Sequence, residues 1–170
     1  LITDAFGTTT ISTGSIRVDG NTINFDDAVT LTKDLTITET GDVTFAKTVD
    51  SDAVFTPRVL TINSGGEVTF GGGVGGIAQL FSLGATGSAI NMNGGGVNAI
   101  LQTYTGDVVL GADAVLSGGV ITFNDDVYGP HNLDITSSGL VTFDGHIGKE
   151  GAADILTSLT VNGKTQINGK

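Results

Sequence analysis

Three copies of one eleven-residue phrase, Leu-x-Ile-x-x-x-Gly-x-Val-Thr-Phe, decide the fold of this chain. They run from Leu35 to Phe45 (LTITETGDVTF), from Leu60 to Phe70 (LTINSGGEVTF) and from Leu133 to Phe143 (LDITSSGLVTF). Repetition on this scale is typical of an array in which one small structural unit stacks on itself. The phrase therefore predicts a repeat architecture.

The length of the unit follows from a shorter pattern, aliphatic-x-aromatic with another aliphatic residue four positions after the ring. The aromatic residue recurs six times, and successive rings are 20, 25, 34, 19 and 20 residues apart: Phe25, Phe45, Phe70, Tyr104, Phe123 and Phe143. Three of the five steps are 19 or 20 residues. The basic unit is therefore about 20 residues long, a length found in β-solenoids.

Within one unit the apolar residues come in pairs that are two positions apart, as in Val29 with Leu31 and Val43 with Phe45. A spacing of two is the period of a strand with one buried face. Three such pairs separated by turns predict a coil of roughly triangular section. Stacked coils would pair strand on strand at about 4.8 Å, so we predict an all-β parallel β-helix of about eight coils and roughly 40 Å. Residues 1–170 are interpreted as one domain.

Two of the intervals between successive aromatic residues are longer than 20 residues. The longer step from Phe45 to Phe70 predicts a loop near 51–57. The step from Phe70 to Tyr104 contains Gly-rich stretches, and it fits either one extra coil of weaker pattern or one coil with a long outward loop. The glycines at matching positions in the three phrases, Gly41, Gly66 and Gly139, predict turns with positive φ.

Composition limits the classes of function. The 170 residues carry a formal net charge of -11, which disfavours binding to nucleic acid or to an anionic membrane surface. No apolar run is long enough to insert into a membrane. The chain has no Cys, so disulfides and zinc–thiolate sites are excluded. The pattern is already running at the first residues, which favours a segment of a longer protein or fibre.

The segments GDVTFAKTVDSDAVFTPRVLTINSGGEVTFGGGVGG (41–76) and LQTYTGDVVLGADAVL (101–116) resemble the repeats of filamentous haemagglutinin-type exoproteins, the large adhesins of two-partner secretion systems. The resemblance extends from about Ile16 to Gly169. It implies a right-handed parallel β-helix, passage through an outer-membrane secretion pore of a Gram-negative bacterium, and an extracellular or cell-surface role in adhesion or as a stalk. The repeat phrase is structural and assigns no binding residue.

Acidic turns are the candidate metal ligands. They follow aromatic residues of the repeat, and paired carboxylates could hold Ca²⁺, which takes six to eight oxygen ligands. The candidates are Asp26, Asp27, Asp125 and Asp126. Solvated turn acids are the more economical interpretation, since no Asp-rich calcium repeat is present. No other cofactor is expected.

The sequence predicts no enzyme. Stacking would place Asp26 and Asp126 several coils apart, whereas glycan-cleaving β-helices need carboxylates that face each other. His131 and His146 have no pattern of converging ligands and are interpreted as surface residues. Gly71–Gly76 lacks the Lys-Ser/Thr ending of a phosphate loop.

The middle residue of the aromatic strand predicts a polar ladder along one outer face: Asn24, Thr44, Thr69, Thr103, Thr122 and Thr142. A flat Thr array could bind ice or a crystalline polysaccharide. Thr is also simply a good residue for an exposed strand, and one Thr per strand is fewer than the double rank expected of an ice-binding face.

Three functions compete on this reading. The chain could be a rigid stalk or adhesive segment that binds a host or cell-surface receptor or glycan. It could be a fibre subunit that stacks end to end with itself or with neighbouring β-helix segments, because open strand edges template further pairing. It could also be a carbohydrate-binding or carbohydrate-cleaving module, although few aromatic residues are expected outside the core: Phe6, Phe55, Phe81 and Tyr128.

Overall fold

The computed structural model describes residues 1–20, 22–148 and 155–169, and the regular structure in these ranges is β-strand throughout. The strands in chain order are β1 (Thr8–Ile11), β2 (Ser15–Arg17), β3 (Ile23–Phe25), β4 (Ala28–Leu31), β5 (Leu35–Glu39), β6 (Val43–Phe45), β7 (Val49–Ser51), β8 (Val59–Ser64), β9 (Val68–Phe70), β10 (Leu80–Met92), β11 (Gly96–Leu110), β12 (Ala114–Gly118), β13 (Val120–Phe123), β14 (Val127–Tyr128), β15 (Asn132–Phe143) and β16 (Ser158–Ile167).

Each strand pairs in parallel with the equivalent strand about 20 residues away, which makes the chain a β-solenoid of about eight coils. The predicted parallel β-helix is thereby confirmed. Each coil contributes to three faces, and each face has a column of inward residues. Face 1 is the column Val29, Val49, Val74, Val97, Leu116, Ile135 and Val161. Face 2 is the column Ile16, Ile37, Ile62, Ala85, Tyr104, Phe123, Phe143 and Ile167. Face 3 is the column Ile23, Val43, Val68, Ile90, Val108, Val127 and Ile147.

The core is a dry stack of these columns. Inward residues such as Ile37, Ile62, Leu83 and Val108 are at most 1% exposed. Their strands alternate buried with half-buried or exposed residues, as a period of two requires. Burial of aliphatic side chains between coils is the main stabilising contribution, since each coil alone would leave its inward face in water.

The six repeat aromatics are all buried, as predicted, but they lie on two faces. Phe25, Phe45 and Phe70 stack on face 3 with centroid distances of 4.8 and 5.8 Å. Tyr104, Phe123 and Phe143 stack on face 2, with centroid distances of 5.3 and 4.9 Å. The third copy of the phrase, 133–143, is accordingly displaced by one face relative to the first two.

The fourth coil accounts for this displacement. β10 pairs with β8 and β9 on one side and with β11 on the other, so Ala85 on face 2 and Met92 on face 3 intervene between Phe70 and Tyr104. The step advances by five faces where an ordinary coil advances by three, and it therefore adds two-thirds of a coil. Ala85 and Met92 take the inward positions that carry Ile62 and Phe70 in the coil before. Of the two possibilities left open by the sequence, added coil and not a long outward loop fills this step, although it amounts to two-thirds of a coil and not to a whole one. The predicted loop near 51–57 lies at 52–58, between β7 and β8.

The prediction of positive φ at Gly41, Gly66 and Gly139 is wrong, because none of the three is among the glycines that have positive φ. Close contact between coils explains two of the three positions. A Cβ on Gly66 would collide with the Asp42 carboxylate of the preceding coil, and a Cβ on Gly139 would collide with the Gly119 carbonyl oxygen.

One polar pair lies inside the core at the inward positions of the fifth coil on face 2. Gln102 is 1% and Tyr104 0% exposed. The Tyr104 hydroxyl donates to Gln102 Oε1 at 2.8 Å, and Gln102 Nε2 donates to the Ala99 and Ser117 carbonyls at 3.2 and 2.9 Å. Burial raises the pKa of Tyr104 well above its usual range, so the hydroxyl remains a donor.

Tyr104→Phe is expected to destabilise the chain by about 1–3 kcal/mol, because Gln102 Oε1 would be buried without a donor. The next coil carries Ile121 and Phe123 at the same two inward positions. The double variant Gln102→Ile/Tyr104→Phe should therefore lose less stability than the sum of the two single variants. Chemical unfolding of the four proteins measures this coupling, and strict additivity would contradict the buried pair.

Candidate functional site

The predicted polar ladder of six residues is wrong as a single ladder, because the aromatic strands that carry it change face. Asn24, Thr44 and Thr69 are neighbours on face 3 and continue into Asn91. Thr103, Thr122 and Thr142 are neighbours on face 2. The face 2 ladder extends further than predicted, through Gly84, Thr61 and Thr36.

A second polar rank runs beside the first on the outside of face 2, two residues further along each strand. It joins Thr38, Asn63, Thr86 and Thr105, and Asn124 continues it by donating from Nδ2 to Thr105 Oγ1 at 2.8 Å. Two Thr-x-Thr triplets, at 36–38 and 103–105, carried this signal in the sequence. Face 2 therefore carries two polar ranks, whereas the sequence pattern predicted only one.

A third, largely apolar rank borders the Thr ranks. It joins Val59, Ser82, Leu101 and Val120, and Leu140 lies beyond Val120 in the next coil. Leu101, Val120 and Leu140 are 38%, 40% and 37% exposed. These side chains present methyl groups to solvent alongside the Thr hydroxyls.

The outer surface of face 2 in coils three to six is defined here as the neutral face. It consists of twelve residues without a charge: Val59, Thr61, Asn63, Ser82, Gly84, Thr86, Leu101, Thr103, Thr105, Val120, Thr122 and Asn124. Face 3, by contrast, carries Asp42, Glu67 and Asp107 on its outside. In a chain of net charge -11, the neutral face is set apart by its composition.

Two Thr hydroxyls in the middle of the neutral face are available to a ligand, whereas Thr105 Oγ1 accepts from Asn124. In the described ranges, Thr103 and Thr122 have no side-chain hydrogen bond to another protein group. Thr is β-branched and stiff at χ1, so these hydroxyls are held at defined positions. The neighbouring parallel strands keep the ranks in register from Ser15 to Gln166.

The four calcium candidates do not come together. Asp26 and Asp27 lie at the corner between faces 3 and 1, whereas Asp125 and Asp126 lie several coils away at a corner between faces 2 and 3. Asp27 is 5% exposed and accepts a bond from the Thr9 hydroxyl at 3.1 Å, while its Oδ1 has no hydrogen-bond partner. Among the described residues no three acidic, His or Cys side chains converge on a metal position. A calcium site remains a prediction.

Both histidines face a carboxylate of the preceding coil. His146 Nδ1 lies 3.0 Å from Asp126 Oδ1, and His131 Nδ1 lies 3.5 Å from Asp113 Oδ1. Asp113 accepts bonds from the Asn132 backbone and side-chain nitrogens at 2.9 and 3.1 Å. These two bonds, aided by the nearby His131, lower the pKa of Asp113 below its ordinary value.

Asp113→Asn should therefore destabilise the chain at neutral pH, with an effect that disappears in acid. A lowered folded-state pKa contributes stability above the unfolded-state value of about 3.9, and this contribution is lost as the pH falls through the folded-state pKa. Thermal unfolding of both proteins at pH 7, 4 and 2.5 measures the difference. A gap between the two melting temperatures that stays constant over this range would contradict the assignment.

The long loop at 52–58 is closed by an ion pair. Arg58 Nε donates to Asp52 Oδ1 at 2.7 Å and Arg58 Nη2 to Asp52 Oδ2 at 3.0 Å. This hydrogen-bonded guanidinium lowers the pKa of Asp52. The loop also presents the 98%-exposed Phe55, which confirms one of the aromatics predicted to lie outside the core.

A shallow groove of about 370 Å³ lies at the corner between faces 1 and 2, next to the apolar rank of the neutral face. Amide, hydroxyl and backbone groups line it, among them Gln79, Asn98, Ser117, Thr136 and Ser138. Such groups suit a small uncharged ligand. The carbohydrate-binding alternative would have its place here, and it remains a prediction.

The fold and these surfaces define a β-solenoid with an uncharged stretch on one lateral face, whose end coils carry Arg17 and Lys164. The chain matches no protein-family model, no curated protein and no solved structure. The resemblance to filamentous haemagglutinin-type repeats therefore remains a prediction. No helix capable of crossing a membrane occurs in the described ranges.

Proposed function

We propose that this chain is a rigid structural or adhesive segment of an extracellular bacterial surface protein. The observation that supports this proposal is the parallel pairing of strands from β2 on one side of the solenoid to β16 on the other. The first seven coils are bonded to one another along three faces and the eighth along two, and bending would have to open these ladders together with the core. A rod of this kind holds whatever it carries at a fixed distance.

Rigidity can be tested directly because the chain has no native Cys. Ser15 and Gln166 stand at opposite ends of the same outward column on face 2. Spin labels on Ser15→Cys/Gln166→Cys should give one narrow distance near 34 Å, the product of seven coil intervals of about 4.8 Å. A broad distribution would contradict the rigid rod. Ser15→Cys/Thr36→Cys, one interval apart, is the matched control.

The extracellular part of the proposal is supported by the resemblance of residues 41–76 and 101–116 to the repeats of secreted adhesins. The partners it implies are an outer-membrane secretion pore and a host or cell-surface receptor or glycan. The proposal includes no catalysis. The separation of Asp26 from Asp126 supports this, since glycoside cleavage needs two carboxyl groups within about 10 Å.

Location is tested in cells that make the whole protein. Protease added to intact cells is expected to release peptides of this chain into the medium. Peptides that appear only after lysis would overturn the extracellular assignment, and a cytoplasmic enzyme followed in parallel controls for leakage.

A second candidate is a fibre in which copies stack end to end. It is favoured by two strand edges: β1 pairs only with β4 and β16 only with β15 among the described strands. Such edges template further pairing. Electron microscopy at micromolar concentration should then show filaments with an axial repeat of roughly 40 Å, the length of eight coils. Isolated short rods would contradict the fibre and leave the rigid structural or adhesive segment as the proposed function.

A further inference from the structure

The neutral face has the features of a surface that binds a rigid, uncharged lattice. Its hydroxyls lie in two parallel ranks, Thr61–Thr103–Thr122 and Thr86–Thr105, with Gly84 as a gap in the first. A soluble small molecule would need a pocket, whereas this surface repeats the same groups over several coils. The repetition itself is therefore the recognition element.

The two repeat distances indicate which lattice. Coils are spaced by about 4.8 Å, and outward residues on one strand are about 6.6 Å apart. Water oxygens on a prism face of hexagonal ice repeat at one distance close to the coil spacing and at a second that is somewhat longer than the spacing along a strand. We propose that the neutral face binds ice, with the Thr hydroxyls and methyl groups of coils three to six ordering the first layer of water.

The absence of charge on this face supports the proposal. A charged group holds its own hydration shell, and bringing it against a neutral solid costs desolvation energy. The chain carries 18 acidic residues in all, yet none lies among the twelve residues of the neutral face. The exposed Leu101 and Val120 add apolar surface, which carries no ionic hydration shell that would have to be removed.

A polysaccharide is less well matched by the same surface. Sugar rings pack on exposed aromatic rings, but the inward rings of face 2, Tyr104, Phe123 and Phe143, are buried. The exposed Phe81 lies beside Ser82 and supplies one ring at the margin of the neutral face, with no second ring in the neighbouring coils to continue it. None of the twelve residues of the neutral face is aromatic. Ice requires only the rigid array of hydroxyl and methyl groups that is present.

Two matched variants separate this face from the rest of the rod. Thr122→Lys places a charge in the centre of the neutral face, between Thr103 and Thr142. Thr44→Lys makes the same change on face 3, in a strand with the same buried, half-buried, buried pattern. Gly84→Thr fills the gap in the first rank, where nothing lies within 4 Å of the added Cβ.

The experiment grows ice slowly from solutions of the four fluorescently labelled proteins and measures the fraction that each leaves in the ice. Wild type and Thr44→Lys should be enriched equally. Thr122→Lys should lose at least about tenfold, since its ammonium must be dehydrated, and Gly84→Thr should be enriched more than wild type. Circular dichroism and melting temperature establish that each variant is folded.

Three outcomes would overturn ice binding. One is exclusion of wild type and Thr122→Lys from ice to the same extent. Another is equal loss in Thr44→Lys, which would indicate a non-specific charge effect. The third is binding of insoluble cellulose, but not of ice, through Thr122. None of these results bears on the rigid rod, which the spin-label distance tests separately.

Discussion

Phe123→Ala is expected to lower the free energy of unfolding by about 3–5 kcal/mol, the range for removing a buried Phe from a close-packed core. Phe123 is the middle ring of the face 2 stack, between Tyr104 and Phe143, and is completely buried. Its removal takes away two ring contacts and leaves a cavity between the fifth and seventh coils. Neighbouring coils cannot close this cavity, because their spacing is fixed by the backbone ladders.

Denaturant unfolding of Phe123→Ala and of the adjacent Thr122→Ala measures the effect. Thr122 points outward from the same strand, so its loss should change stability by no more than about 0.5 kcal/mol. Equal effects of the two substitutions would contradict the assignment of inward and outward positions. Phe45→Ala, the middle ring of the face 3 stack, should match Phe123→Ala.

Gly106→Ala is expected to destabilise the chain by about 2–6 kcal/mol, the sum of a strained backbone and an overpacked contact. Gly106 has φ of +115°, a conformation that residues with a Cβ rarely adopt. A Cβ there would also collide with the carbonyl oxygen of Gly87 in the preceding coil. Both costs arise at one corner between faces 2 and 3.

The matched control for Gly106→Ala is Gly84→Ala, at a strand position with no positive φ and free space around the new methyl group. It should raise stability by about 0.5–1 kcal/mol, because Gly is unfavourable inside a strand. The melting temperatures of Gly106→Ala and Gly84→Ala measure these two opposite changes in stability. Destabilisation by both would mean that glycine is needed for close packing throughout, and not for the corner conformation.

The sequence predicted the unit length, the parallel strands and the inward aromatics, because alternation and repeat spacing are local properties of the chain. It did not predict which face each phrase occupies. All three faces require the same inward pattern, so a phrase such as Val-Thr-Phe fits any of them. The assignment to a face depends on counting strands through the fourth coil, where Ala85 and Met92 replace the residues that mark the pattern elsewhere.

The neutral face was missed for the same reason. Thr44 and Thr122 occupy equivalent places in their phrases, yet the first lies on face 3 and the second on face 2. Only the pairing of strands shows that Thr103 and Thr105 continue ranks that begin at Thr36 and Thr38. The Thr-x-Thr triplets were visible in the sequence, but their alignment required the register.

Because any of the three faces accepts the repeat phrase, a solenoid of this kind can change length in steps of a third of a coil and still keep its core closed. Each added third moves the later copies of the phrase by one face, and the two-thirds added between Phe70 and Tyr104 move them from face 3 to face 2. A longer array built from these units could then present its recognition surfaces in several directions around one axis. Small insertions and deletions would thus change the direction in which a binding surface faces while the fold stays the same.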